Sequence, residues 1–307
     1  MGRHLEGVSP YRLSGASAIQ IDWHTRYIQQ AAWTAPLRQH LFARLGLTPR
    51  HRLLEVGCGT GAILCSLPAR GEGRGEVPLA AEQHHAVIPA PLPASGERRG
   101  EVPPAHHGLD LSLPSLRQAA RYAPTARLTC GDAHALPYAS ASFDFVICHF
   151  LLLWLAHPSL ALDEMARLLR PGGWLLALAE PDYGGRLDYP PELVPPGQLQ
   201  IEALRRQGAD PEIGRRLGAL LLGAGLQPVE TGVLAGQWQC QPQTAETTYP
   251  DLEWDVLETD IRALAEPARL DAWRAVHRAA RRQGSRLTFV PTFYALGQRP
   301  PATQPQP

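Results

Sequence analysis

The run Leu53-Leu54-Glu55-Val56-Gly57-Cys58-Gly59-Thr60-Gly61 concentrates the residue types most useful for holding a ligand. Three glycines at alternate positions let the backbone turn sharply and approach a ligand that a Cβ would hold off. Amide groups at the start of a following helix face that same ligand. Two more acids stand next to glycine-containing strand ends, Asp110 in Gly108-Leu109-Asp110-Leu111-Ser112 and Asp132 in Gly131-Asp132-Ala133. An acid in the position of Asp110 can accept both hydroxyls of a ribose, or it can cap the helix that follows. Further titratable groups come after later apolar runs, His149 in Cys148-His149-Phe150 and Asp182-Tyr183 after Glu180-Pro181. His149 and Asp182 are candidate bases and Tyr183 a candidate orienter, each against an ordinary structural role.

The surrounding pattern supplies elements to position these residues. Residues 1–50 read as a helical, aromatic cap containing Trp23, Tyr27 and Trp33. From 51 the chain alternates: strand 52–56, helix 62–67, strand 106–111, helix 115–122, strand 127–130, strand 143–149, helix 159–169, strand 174–179. Such alternation implies a parallel, doubly wound α/β sheet. Residues 181–197 hold five prolines and two tyrosines and read as a structured loop. Helices are expected over 200–206, 212–222 and 252–282, and strands over 226–238 and 287–296. Residues 69–104 break the rhythm, being rich in Gly, Pro, Ala, Glu and Arg. Gly71–Pro78 returns there as Gly96–Pro103 with one mismatch. Two copies with little to bury make no solenoid, so this is read as a surface insertion of low complexity, with a lid or partner-binding loop as the alternative. Residues 300–307 read as a disordered tail.

The pattern Glu55-x-Gly57-x-Gly59-x-Gly61 resembles the first motif of the class I S-adenosylmethionine-dependent methyltransferases. Later segments match that family in order. They are the acid Asp110, then Gly131-Asp132-Ala133 with Leu136-Pro137, then Ser142-Phe143-Asp144, then Leu168-Leu169-Arg170-Pro171-Gly172-Gly173. The resemblance spans residues 53–180. It implies a Rossmann-like, doubly wound seven-stranded sheet, mostly parallel and closed by a C-terminal antiparallel hairpin, in one domain over 51–299. Residues 181–211 then form a substrate-side loop, and 251–284 a helical insertion covering the substrate end. It implies S-adenosyl-L-methionine as cofactor, with Glu55, Gly57, Cys58, Gly59 and Gly61 beneath its methionine part. Asp110 and Leu111 take the ribose side, Asp132 and Ala133 the adenine, and Cys148 and His149 run beside the methionine and sulfonium. Arg26, helix-spaced with Tyr27, Gln30 and Trp33, can pair with the methionine carboxylate or lie in solvent beside a tryptophan. The ribose acid stands farther from the glycines than in compact members, a distance the 69–104 insertion accounts for.

The implied activity is methyl transfer to a small or medium organic acceptor. The loose fingerprint Gly57-x-Gly59-x-x-Ala62 also admits an NAD(P)-dependent Rossmann oxidoreductase. The chain has no lysine, which excludes a Tyr-x-x-x-Lys catalytic pair. A non-catalytic S-adenosylmethionine-binding protein stays open, because the motifs report binding rather than transfer. Twenty-nine basic and 29 acidic residues cancel and form no basic block, which argues against nonspecific nucleic-acid binding. No Asn-Pro-Pro-Tyr-type tetrapeptide is present, which also points away from DNA bases. Five cysteines without a Cys-x-x-Cys pair, and no leader-like N-terminus, read as a reduced, cytoplasmic chain. The longest apolar stretch, 145–156, is too short to span a bilayer. His84, His85, His106 and His107 come in pairs that no Cys, Asp or Glu joins at ligand spacing, so no metal site is read.

Overall fold

The computed structural model describes residues 21–67, 106–234 and 251–301. The 69–104 insertion with its repeat and His84 and His85, and the 302–307 stretch, lie outside the described residues.

Seven strands form the main sheet: β1 (Leu53–Val56), β2 (His106–Asp110), β3 (Arg127–Cys130), β4 (Phe143–Cys148), β5 (Leu169–Pro181), β7 (Val229–Leu234) and β9 (Thr292–Gln298). Their order is β3-β2-β1-β4-β5-β9-β7. The first five are parallel, while β9 runs antiparallel to both β5 and β7. This is the doubly wound sheet with a closing antiparallel pair. A two-stranded sheet pairs β6 (Leu187–Tyr189) with β8 (Leu287–Phe289).

Alternation along each strand divides the core between the two faces. Leu54, Val56, Val146, Cys148, Leu175 and Ala177 point to one face, packed with Leu162 and Met165 of α3 (Pro158–Leu168) and Leu217 and Leu221 of α5 (Leu217–Gly223). Leu53, Phe145, Ile147, Leu176 and Leu178 point to the other, with Ala31 and Leu41 of α1 (Trp23–Arg44) and Leu116 of α2 (Leu113–Tyr122). Because β1 is buried on both faces, its polar Glu55 sits inside the molecule. The cover has a core of its own, made of Leu193 with Trp254, Leu257 and Ile261 of α6 (Leu252–Ile261) and Leu270 and Trp273 of α7 (Pro267–Gln283).

Four expectations change. The helix over 62–67 is a set of turns and one 3₁₀ turn, Leu64–Ser66. Leu67 is extended (ψ 141°), as a residue before proline tends to be. Residues 181–197 are not only a loop: they hold β6 and the start of α4 (Val194–Arg206). Prolines 195 and 196 fall in that helix's first turn, where the missing N–H costs nothing. The strand over 287–296 is two strands, divided at Val290-Pro291. The helix over 252–282 is also two, with Pro267 at the start of α7. Among the described residues no helix is long and apolar enough to cross a membrane.

Candidate active site

In an open α/β sheet, ligands bind beyond the carboxyl ends of the strands where the order reverses. Here that place is β1, flanked by β2 and β4. The glycine run leaves β1 with Gly57 at φ +74°, Gly59 at +51° and Gly61 at +81°. Gly57 and Cys58 donate their N–H groups to the Leu109 carbonyl at 2.7 and 3.0 Å, anchoring the loop to β2. A Cβ on Gly57 would lie 2.8 Å from Leu151 Cδ1, and one on Gly59 would meet the Tyr27 ring at 3.4 Å.

Asp110 ends β2 beside this loop. Its Oδ2 accepts from Gly59 N and its Oδ1 from Ser112 N, both at 2.8 Å. The α2 cap is Ser112, whose Oγ accepts from Ser115 N, so Asp110 is not the cap. A carboxylate has about four lone-pair sites, which leaves one on each oxygen for a diol. Burial holds the Asp110 carboxyl above its ordinary pKa. Leu111, next along, is 57% exposed and offers an apolar surface.

Glu55 is 2% exposed, and its Oε2 has no hydrogen-bond partner among the described residues. Burial pushes its carboxyl well above the usual range, and Arg38 opposes that shift. A buried unpaired carboxylate oxygen is costly and calls for a donor or a cation. The methionine ammonium of S-adenosylmethionine is such a group. The unpaired oxygen, the left-handed glycine loop and the half-used Asp110 together fit this cofactor. Cys58 is buried beneath the same loop, and burial raises its thiol.

Asp132 stands after β3, largely exposed, and accepts from His134 N (2.9 Å) and Nδ1 (2.7 Å). Those bonds, the backbone one first, hold its carboxyl low. Ala133 beside it is buried. Cys148 is buried at the end of β4. His149 follows, with Nε2 3.0 Å from Thr34 Oγ1 on α1. Burial, with the Arg38 charge adding to it, pulls this imidazole down to about 3, so it is neutral and weakly basic at physiological pH.

Asp182 is buried and clasped by Arg215, Nε to Oδ2 at 2.6 Å and NH2 to Oδ1 at 2.7 Å, while also accepting from Gly184 N at 3.0 Å. Those bonds occupy the carboxylate. Tyr183 is half-buried, and its hydroxyl feels Asp260, Arg186 and Arg26, with burial raising its pKa most. Arg26 donates to Gln29 Oε1 at 2.7 Å and lies 4.7 Å over the Trp33 ring. Its charge acts on Tyr183 and Asp260, on the cover side. Its neighbour Tyr27 meets the glycine loop, and burial and Asp110 push that phenol up to about 12.

Three side chains escape a reading of the sequence. Arg38 carries no motif, though its spacing of four from Thr34 is helical. Glu180 holds the chain after β4 by accepting from the N–H groups of Leu151, Leu152 and Leu153. Asp260 resembles one more solvated acid on an amphipathic helix.

A family model described as a methyltransferase domain matches residues 97–177, which hold Asp110, Asp132 and Cys148 and begin after the glycine run. This chain carries a methyltransferase domain of the S-adenosylmethionine-dependent class. The cofactor of that class is S-adenosyl-L-methionine. The chain is 30% identical over 239 residues to an uncharacterized 37.1 kDa protein in transposon TN4556 of Streptomyces fradiae, a match covering 73% of this chain and 59% of that one. It is 41% identical over 78 residues to the demethylmenaquinone methyltransferase of Renibacterium salmoninarum, covering 25% of this chain and 33% of that one. The chain thus spans less than two thirds of these curated relatives. Among solved structures, the methyltransferase in complex with the Haloferax volcanii Trm112 activator has a TM-score of 0.50 at 18% identity. That match covers 92% of this chain and 96% of that one, a likeness of fold.

Proposed function

We propose that this protein transfers the methyl group of S-adenosylmethionine to a small or medium organic acceptor. The observation that carries the reading is the convergence of the unpaired Glu55 Oε2, the left-handed glycine loop and Asp110 at the reversal point of the sheet. In this reading Glu55 receives the methionine ammonium, Asp110 the ribose hydroxyls with Leu111 beside it, and Asp132 and Ala133 border the adenine. Cys148 and His149 flank the methionine side. The cofactor supplies a methyl group on a positively charged sulfur. The protein's part is to orient the acceptor in line, exclude water and dispose of a proton. Arg26, Tyr183 and the cover helices α6 and α7 bound the acceptor side, while 181–211 and 251–284 act as its walls.

Calorimetric titration with S-adenosylhomocysteine, with NAD⁺ and NADH as controls, tests the cofactor. Binding of the homocysteine nucleoside alone is the expected result. Binding of a nicotinamide cofactor instead would move the glycine loop to an oxidoreductase. Tight nucleoside binding without methyl transfer to any acceptor in a broad panel would favour a binding protein without catalysis.

A further inference from the structure

Arginine meets carboxylate in this protein with one recurring geometry. Arg167 grips Glu164, Arg186 grips Asp188 and Arg215 grips Asp182, each through the edge formed by Nε and NH2. That edge presents two parallel N–H groups to the two oxygens of a carboxylate.

Arg38 departs from this pattern. It is 5% exposed and lies on the buried stripe of α1 with Ala31, Thr34 and Leu41. Its NH1 donates to the Ala31 carbonyl and to Thr34 Oγ1, and its NH2 to Ser66 Oγ at 3.4 Å. All three acceptors are neutral. Among the described residues its Nε has no hydrogen-bond partner, and no carboxylate is in ion-pair contact with its guanidinium. Burial draws its pKa down to about 10, so it keeps its charge at neutral pH.

Glu55 lies in the same layer. Alternation along β1 puts its side chain on the face of Leu53, the face that packs with Ala31 and Leu41 of α1. Its Oε2 is likewise without a partner among the described residues. Both charges sit near the carboxyl end of the strands at the reversal point. Glu55 stands two residues before Gly57, and Arg38 reaches His149, directly after β4, through Thr34. Strands β1 and β4 are neighbours there, with Val56 opposite Cys148. Helix and sheet therefore enclose a cation and an anion that form no ion pair with each other. Each is costly to bury unmatched. A ligand that carries both charges on one carbon removes both costs, and an α-amino acid zwitterion is such a ligand.

We propose that Arg38 binds the methionine carboxylate of the cofactor through its Nε–NH2 edge, while Glu55 takes the ammonium beside it. The proposal rests on the methyltransferase reading above. It moves the carboxylate away from Arg26, whose guanidinium donates to Gln29 and covers the Trp33 ring. The site then selects nucleosides with an intact amino acid end.

Calorimetry on the full chain near neutral pH tests this with two probes. One is S-adenosylhomocysteine. The other is its decarboxylated form, with an aminopropyl chain in place of the amino acid. The wild type should prefer S-adenosylhomocysteine by about 30-fold. Arg38→Gln should bind the decarboxylated probe within about twofold of wild type and S-adenosylhomocysteine about 30-fold more weakly, so that the preference disappears. A packing role alone would weaken both probes alike and keep the preference. Arg26→Gln should keep it too. A wild-type preference below about threefold, a preference retained in Arg38→Gln, or one lost in Arg26→Gln overturns the proposal. Should Arg38→Gln fail to fold, Arg38→Lys decides. It keeps a cation without the two-toothed edge and should cut the preference about fivefold, and an undiminished preference there overturns the proposal. A wild type that binds neither nucleoside instead overturns the methyltransferase reading, and this proposal falls with it.

Discussion

Thr34 Oγ1 lies 3.0 Å from His149 Nε2, which ties the first helix to the residue that follows β4. The same hydroxyl donates to the Ala31 carbonyl at 3.2 Å and accepts from Arg38. A hydroxyl has one proton, so with Ala31 as its acceptor His149 must donate through Nε2–H. Thr34→Val removes that junction and leaves Arg38 and His149 short of a partner. Its cost should be about 1–2 kcal/mol, read as a lower thermal midpoint. His149, neutral above about pH 3, has no charge to lose beyond that value. S-adenosylhomocysteine affinity in His149→Ala should therefore follow the wild-type pH dependence between about pH 5 and pH 8. A new inflection in the variant would refute the neutral imidazole.

Asp110 holds the glycine loop, and in the proposed reading it also receives the ribose. Its two oxygens already accept from Gly59 N and Ser112 N at 2.8 Å, so Asp110→Ala would loosen the glycine turn and remove the ribose acceptor in one step. The expected loss in S-adenosylhomocysteine affinity is about 30- to 100-fold, equal to roughly 2–3 kcal/mol. Titration calorimetry reads it directly, and a loss smaller than about threefold would take Asp110 out of the cofactor site.

The parts of this protein that can be read in the sequence are those where local pattern and burial coincide. Strands β1 and β4 are short, mostly apolar runs whose burial on both faces shows in their composition, and β1, β2 and β3 end in or run into glycines or acids. Asp110 and Gly57 to Gly61 follow from position at strand ends. Asp260 cannot be found this way. Between Glu253, Asp255 and Arg262 it looks like part of a charged outer face, and the amide that holds it, Gln200, stands sixty residues earlier. Arg38 is hidden in the same manner. It is an arginine on a polar helix, and it reaches His149 through Thr34 while its charge acts on Glu55 of β1. Proline sets breaks that hydrophobic pattern alone does not show, at Pro267 and Pro291, where the backbone leaves the expected element.

Glu180 gives a pH dependence of stability with a definite sign. It is fully buried and its carboxyl is pushed up to about 7 by that burial, against three backbone N–H bonds that favour the charged form. The folded pKa is above the unfolded one. Its stabilising contribution is therefore complete below about pH 4.5 and is lost as the pH rises through about 7. Glu180→Gln mimics the protonated form and should remove this slope. Between about pH 5 and pH 8 the wild type should lose on the order of 1–3 kcal/mol relative to Glu180→Gln in urea unfolding. Parallel curves for the two proteins would show that Glu180 does not titrate in that window.

Gly57 connects this buried acid to the glycine loop through Leu151. Its φ of +74° is one that an L side chain adopts only under strain, and a Cβ there would stand 2.8 Å from Leu151 Cδ1. Turning the Leu151 side chain would not relieve all of this, since its Cγ and Cβ also stand at 3.2 and 3.3 Å, and its backbone is held by Glu180 Oε1, which accepts from Leu151 N at 2.9 Å. Gly57→Ala should therefore cost about 2–3 kcal/mol, part from the backbone and part from the clash. Leu151→Ala removes the clashing methyl but keeps the backbone bond. In the double variant the alanine at 57 should cost only about 1 kcal/mol, so that a double-mutant cycle in urea reports a coupling of about 1–2 kcal/mol. Simple additivity would mean that φ alone demands glycine at 57. Strong coupling would mean that the loop's shape is set by a contact that Glu180 holds in place.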